Sequence, residues 1–518
     1  MNIVWKNQTR LWFLIPVIII LLILCYFPLK RSIAALGYPY QLDYAEGFLA
    51  VESDMISRGE SMYPSIEEYP YLVGNYPPVY PLLSVPFFLI FGPSLFWGRL
   101  ICFVSVAGIA FLSGWIVYHK TKMIIPAFLA PLLFLNTYAL HEWIAYSRVD
   151  LPAIFFSVAG IAVLSSGTNK KHRYAALALF LLSVYTKQIQ IFAPASACLY
   201  LIVRNRKQGL MFTAQFIGLT LGIFLFLTLI TGGRYFHHTV TYNANKYDFW
   251  QLRRWVEHIF RFYFMYLATA LIIFASYIIM NMKTRTAEKK FRPELFSIYA
   301  LAGIVSVPAI GKIGAASNYL LEFHISLGIA FTIIFIRVFN RVFESKRKKG
   351  LIALLIVSVL LLTVHGSMIW KKRAMIFSRP DPGKSARLKG DEMLRIVKDY
   401  PEPVLCEEPV FPLLAGKKVV FQPFIMSELS KENKWDQSDF IRDLENKKFT
   451  LIQTGQDMYA EGHSWQYTKE MRNAVRENYF PLLRNRSVFR KFMESPVGGI
   501  PYYIYVPKER KDAGKNTE

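Results

Sequence analysis

LWFLIPVIIILLILCYFPL, residues 11–29, is an almost unbroken apolar run. As a helix it is long enough to cross the hydrocarbon core of a bilayer, which takes about 20 residues. Lys6 and Arg10 precede it, as they would a secretory leader. However, the run is longer than a leader's apolar region and no small-residue cleavage site follows, so the expectation is a retained span. About a dozen residues further on comes DYAEG, residues 43–47. A helical reading of this piece puts Asp43 and Glu46 on one face. Two carboxylates beside a membrane surface point to proton transfer or cation binding; the alternative is a solvated acidic loop.

The rest of the chain fits a membrane protein. Of its 518 residues 53% are hydrophobic, 16% aromatic and only 19% charged, and mean hydropathy is +0.28. The net charge is +24. Many of the cations lie in short loops between apolar runs, where membrane topology accounts for them, so nucleic acid is not an expected partner. Of four cysteines, Cys25, Cys102 and Cys198 lie in apolar runs and Cys406 stands alone. Their spacing supports neither a disulfide framework nor a zinc site.

Hydropathy predicts a polytopic α-helical membrane protein with about eleven spans: 11–29, 95–118, 123–140, 150–167, 174–186, 188–203, 210–231, 257–281, 294–310, 321–340 and 350–370. Segment 78–92 is short and carries Pro78, Pro81 and Pro86, which suits an interfacial helix. Cations cluster before span one, then after spans two (Lys120, Lys122), four (Lys170, Lys171, Arg173), six (Arg204, Arg206, Lys207), eight (Lys283, Arg285, Lys289, Lys290, Arg292) and ten (Arg341, Lys346, Arg347, Lys348, Lys349). All fall on one side, which the positive-inside rule makes cytoplasmic, together with the N-terminus. Lys371, Lys372 and Arg373 conflict with this locally. The division expected is a transmembrane domain over 1–370 with a first external loop at 30–94, an extracytoplasmic α/β domain over 371–507, and a disordered tail over 508–518. Strands are expected at Pro403–Cys406, Lys418–Phe421, Thr450–Thr454 and Tyr502–Val506, and helices at Ser438–Lys447 and Tyr467–Asn478.

The outer loops gather ionisable groups that are costly near a bilayer. Asp43 and Glu46 come first, then Tyr76 in YPPVY, then His141, Glu142, Arg148 and Asp150, then Lys187, and finally Lys312, Asn318, Tyr319, Glu322 and His324. Each also has a structural reading. Arg148 and Asp150 can be a plain ion pair, Lys187 can snorkel, and His141 reads best as a satisfied loop histidine. Glu322 and His324 are two apart on an expected helix and face different ways. The paired acids permit a divalent cation without demanding one, so the metal question stays open.

Several motifs follow one another in order: DYAEG at 43–47, then Arg58-Gly59 and Met62-Tyr63-Pro64, YPPVYPLL at 76–83, Phe91-Gly92, Arg99-Leu100, Arg148-Val149-Asp150, Thr186-Lys187 and GAASNY at 314–319. The series resembles the GT-C membrane glycosyltransferases, in particular bacterial relatives of the protein O-mannosyltransferases and of the lipid A aminoarabinose transferase, over residues 10–340. The resemblance implies a polyprenyl-phosphate-linked sugar donor, transfer of a hexosyl or pentosyl group on the extracytoplasmic face of the cell membrane, commonly with inversion, and a catalytic acid in the first external loop, which by position is Asp43. Two departures stand out: the protein mannosyltransferases carry adjacent Asp-Glu where this chain has the acids three apart, and the C-terminal part is unlike theirs.

On this reading Asp43 is the general base for an acceptor hydroxyl or amine, and Glu46 orients it, binds the acceptor, or shares a cation with it. Arg148 and Lys187, with Lys312 as a third candidate, neutralise the leaving lipid phosphate, and Asp150 holds Arg148. The acceptor is a lipid, a glycan or a protein. The principal rival is a transporter or flippase of lipid-linked sugars. That predicts internal repeats, broken helices and acids within spans, whereas Asp43 and Glu46 lie outside span one. A ligase of larger glycans and a non-catalytic assembly protein complete the alternatives.

Overall fold

The computed structural model describes residues 11–12, 14–283, 293–344, 384–460, 462, 464, 466–484 and 503–508. The expected span at 350–370, the cations at 285–292 and 346–349, Lys371–Arg373 and the end of the tail lie outside the described residues.

Each expected apolar interval from 11 to 340 is occupied by helix, with shifted ends. Among the described residues five helices are long and apolar enough to cross a membrane: Leu14–Leu36, Leu95–Thr121, Arg206–Ile230, Phe249–Asn281 and Ser317–Arg341. Shorter apolar helices stand between them, including Val79–Phe91 in the proline-rich segment, Asp150–Ser166 and Phe192–Arg204. Polar side chains mark several starts. Ser94 accepts from the Phe96 amide, Asn169 from His172 and Asn205 from Gln208, each satisfying an N–H left over in a first turn. The interval 123–140 is not one helix but three pieces, Ile124–Ala127, Leu129–Leu135 and Tyr138–Trp143. Asn136 ends the second by donating to the carbonyl oxygens of Leu132 and Leu21, and Thr137 caps the third. Ser317–Arg341 runs through the middle of the bundle, almost wholly enclosed, whereas Arg206–Ile230 lies at its edge with few buried side chains.

The C-terminal part folds around a four-stranded sheet of order β1-β2-β4-β3, with β1 Val404–Cys406, β2 Leu451–Thr454, β3 Tyr479–Arg484 and β4 Tyr503–Pro507. β1 and β2 are parallel, and β4 runs antiparallel to both β2 and β3. Helices Lys384–Asp399, Pro423–Lys431, Ser438–Glu445 and Lys469–Asn478 surround it. Lys418–Phe421 does not join the sheet as expected. It pairs instead with loop 30–94: the Tyr71 amide donates to the Val420 carbonyl at 2.9 Å and the Gln422 amide to the Tyr71 carbonyl at 3.0 Å.

Loop 30–94 and the C-terminal sheet share two hydrophobic clusters. Ile66, Tyr71 and Val73 pack with Leu405, Phe421, Trp435 and Ile452, and Phe48, Val51 and Leu72 pack with Val404, Phe411 and Leu451. Hydrogen bonds fix the register, from Tyr69 Oη to Asp443 at 2.8 Å and from Tyr40 Oη to Asp391 at 2.6 Å. At Gly47 the helix Tyr44–Ser57 touches Pro409 so closely that an added Cβ would fall 2.6 Å from its Cγ. Gly47→Ala therefore forces the two parts away from each other, since helix and proline are both backbone-fixed. The expected result is faster proteolytic cleavage within 384–508, followed by limited digestion; a protection pattern equal to wild type would contradict it.

Candidate active site

Asp43 lies not in a helix but immediately before one. Its backbone is extended, its carboxylate accepts from the Ala45 amide at 3.0 Å, and Glu46 at the third helical position reaches back to the Asp43 amide. This is a reciprocal capping box, and it explains the three-residue spacing of the acids. The expected common helix face for the two residues is therefore replaced by two carboxylates that diverge.

Glu46 is fully buried and faces Arg99, which is itself buried in helix Leu95–Thr121. Arg99 donates from Nε to Oε1 at 2.9 Å and from Nη2 to Oε2 at 2.8 Å, the fork geometry that only arginine offers. Its other N–H groups go to the carbonyl oxygens of Ala35, Tyr38 and Tyr40. Glu46 also accepts from the amides of Leu42 and Ser147, both at 2.6 Å. One buried ion pair thus fixes the chain leaving the first apolar helix, the cap that carries Asp43, and the loop that carries Arg148.

Arg148 follows Ser147 and is held by its own neighbours. Its amide and carbonyl meet the Cys102 sulfur, and its guanidinium lies 5.1 Å above the Trp143 ring. Nη1 donates to Asp43 Oδ2 at 2.8 Å. Nε stands 3.9 Å from Asp150 Oδ2, and among the described residues neither atom has a hydrogen-bond partner. Asp150 Oδ1 accepts from Lys187 Nζ and from Asn318 Nδ2, the latter at 2.9 Å. Lys187 Nζ sits 4.2 Å over the Tyr319 ring. The order is therefore carboxylate, guanidinium, carboxylate, ammonium. Three separated stretches of chain supply it, and each residue lies at or close to a helix end.

A small cavity of about 20 Å³ opens behind this row, lined by Asp150, Lys187, Asn318, Tyr319 and Glu322. Tyr76 is half-buried within electrostatic range of Arg148 and Lys187. Lys312 stands to one side, donating to Asn243 Oδ1 at 2.9 Å. Burial, helped by the charge on Lys187, pulls its ammonium down to about 8. Burial pushes the Asp43 carboxyl above its ordinary value, with Arg148 opposing the shift. Glu322 lies buried at the cavity wall, beside Tyr299. His141, expected in a loop, lies instead in helix Tyr138–Trp143, buried with its Nε2 against the Leu135 carbonyl. Among the described residues no three of His, Cys, Asp and Glu are grouped to hold a metal ion.

Asp43, Arg148, Asp150, Lys187, Asn318, Tyr319 and Glu322 thus come together, with Tyr76 and Lys312 nearby, while Glu46 points away into the protein. Arg99 was not among the expected site residues. Its signal is a lone arginine within an apolar helical run.

No family model matches the chain, and no curated protein matches it. Solved structures do. ArnT from Cupriavidus metallidurans bound to undecaprenyl phosphate superposes with a TM-score of 0.58 at 12% identity, over 96% of this chain and 99% of that one. The apo state of the same protein gives 0.60 at 10% identity, over 93% and 97%. The oligosaccharyltransferase AglB from Archaeoglobus fulgidus, in complex with an inhibitory peptide and a dolichol-phosphate, gives 0.51 at 11% identity, over 84% and 68%. The chain therefore has the fold shared by ArnT and AglB.

Proposed function

We propose that this protein transfers a sugar from a polyprenyl-phosphate-linked donor to an acceptor on the extracytoplasmic side of the cell membrane. The observation that carries the reading is the row Asp43, Arg148, Asp150 and Lys187, which keeps a carboxylate base beside two cations. On this reading Arg148 and Lys187 neutralise the charge of the donor's lipid phosphate. The acceptor O–H or N–H loses its proton to Asp43 as its oxygen or nitrogen bonds the anomeric carbon. The bond from that carbon to the phosphate oxygen breaks, and the polyprenyl phosphate leaves with the electron pair. Asp43 attacks no atom itself, and one displacement inverts the anomeric centre.

Glu46 acts through others on this reading: paired with Arg99, it is a positioning residue for both Asp43 and Arg148. Asp150 holds Lys187 and faces Arg148, and Asn318 and Tyr319 complete that wall. Tyr76, Lys312 and Glu322 border the donor's path.

Purified protein in detergent is expected to form a new glycosidic bond from a polyprenyl-phosphate sugar. Movement of that lipid between leaflets without bond formation would replace a transferase with a transporter. Arg148→Lys keeps the charge and loses the fork. It is expected to weaken undecaprenyl phosphate binding about tenfold, near the lower end for one charged hydrogen bond. Unchanged binding would remove Arg148 from the phosphate site.

A further inference from the structure

We propose that the groove between helices Pro423–Lys431 and Lys469–Asn478 binds an acidic saccharide, the distal part of a glycan acceptor. The proposal rests on the transferase reading and names its acceptor class. The groove has a volume of about 640 Å³, within the ~300–1,000 Å³ typical of ligand sites. Among the described residues no aliphatic side chain lines it. The side-chain amides of Asn433, Gln437 and Asn473 suit sugar hydroxyl groups.

Its charge is mainly positive. Lys431, Lys469, Arg472 and Arg476 line the groove with one carboxylate, Glu470, among the described lining residues, and Lys431 is also paired with Glu428 at 2.8 Å. Arg472 and Arg476 both donate to the Ala460 carbonyl, and among the described residues neither has a carboxylate partner. Carbonyl oxygens hold the guanidinium groups in place without cancelling their charge, so a positive field persists for a phosphate or uronate. A peptide fits less well, because peptide grooves offer an open strand edge or apolar pockets, and this one offers neither.

The groove also leads toward the reaction centre. A second crevice of about 110 Å³ shares Lys431 with it and continues past Asn245 and Ile313. Ile313 follows Lys312, whose ammonium bonds Asn243. On the inner side, Tyr467 lies within electrostatic range of Tyr44, the neighbour of Asp43.

The test uses the full-length protein in nanodiscs and three probes: a hexose tetrasaccharide bearing a terminal phosphate, the same saccharide without phosphate, and a short polyglutamate peptide. The phosphorylated saccharide is expected to bind best and to weaken as salt rises. The double substitution Lys431→Glu and Lys469→Glu alters two exposed side chains and leaves the core alone. It is expected to weaken that binding at least about tenfold, with undecaprenyl phosphate binding unchanged. Asn473→Ala, without a charge change, is expected to weaken both saccharides. Equal binding to wild type and double variant, tighter binding of the peptide, or no saturable binding of any probe would each overturn the proposal. If undecaprenyl phosphate also fails to bind the wild type, the transferase reading falls with it; if it binds normally, only the groove assignment falls.

Discussion

Asp43→Asn is expected to lower sugar transfer by roughly 100- to 10,000-fold, the usual span for a lost general base, while leaving the fold intact. Asparagine caps helices as well as aspartate does, so the helix Tyr44–Ser57 keeps its start and Glu46 keeps its place. The substitution therefore separates chemistry from architecture, which alanine would not. The pH profile gives a second readout. A base works only when ionised, and burial has raised the Asp43 carboxyl above the ordinary aspartate value of 3.8. Wild-type transfer should fall on acidification through a limb lying above that value, and the limb should vanish in the variant's residual rate. Near-normal turnover in Asp43→Asn, or an unchanged acid limb, would take Asp43 out of the reaction.

The second large effect is expected on stability. Arg99→Met leaves the Glu46 carboxylate buried without its cation, and breaking one side of such a pair costs about 3–5 kcal/mol, a large share of a typical domain's ~5–15 kcal/mol. Three backbone carbonyls lose their donors as well. Glu46→Gln should also destabilise, by stranding the guanidinium. The double variant should lose less than the sum of the two single losses, because no unpaired charge then remains. Apparent melting temperature in detergent measures all three. A double variant as poor as the sum would mean that the two side chains stabilise the protein independently. Any loss of transfer in these variants should track misplacement of Asp43 and Arg148.

The apolar architecture was legible because lipid demands long unbroken hydrophobic runs, and those survive any rearrangement of neighbours. The break in interval 123–140 was harder to see, since it depends on Asn136 reaching the carbonyl of Leu21 on another helix. The D-x-x-E spacing carried the capping box in plain sight, yet a helical-face reading of the same spacing is also natural. What separates them is Arg99, 53 residues further on, and pairing at that distance is tertiary information. Gathering Arg148, Asp150 and Lys187 into one row could be anticipated from their shared position at helix ends. Strand β3 was hidden by Pro481, which breaks the pattern of a central strand; it lies at the sheet's edge with a bulge beside the proline. Lys418–Phe421 had the composition of a strand, but its partner proved to be Tyr71 from the far end of the chain.

That pairing has a bearing on biosynthesis. A ribosome delivers Tyr69 and Tyr71 to the membrane hundreds of peptide bonds before Phe421 and Asp443 exist, so the early loop must wait, with its aromatic rings uncovered, until translation is almost complete. Contacts so distant along the chain form slowly. A message truncated before codon 404 would therefore yield an inserted bundle whose proposed base stands on an unfinished loop, and quality control, not enzymology, would decide its fate.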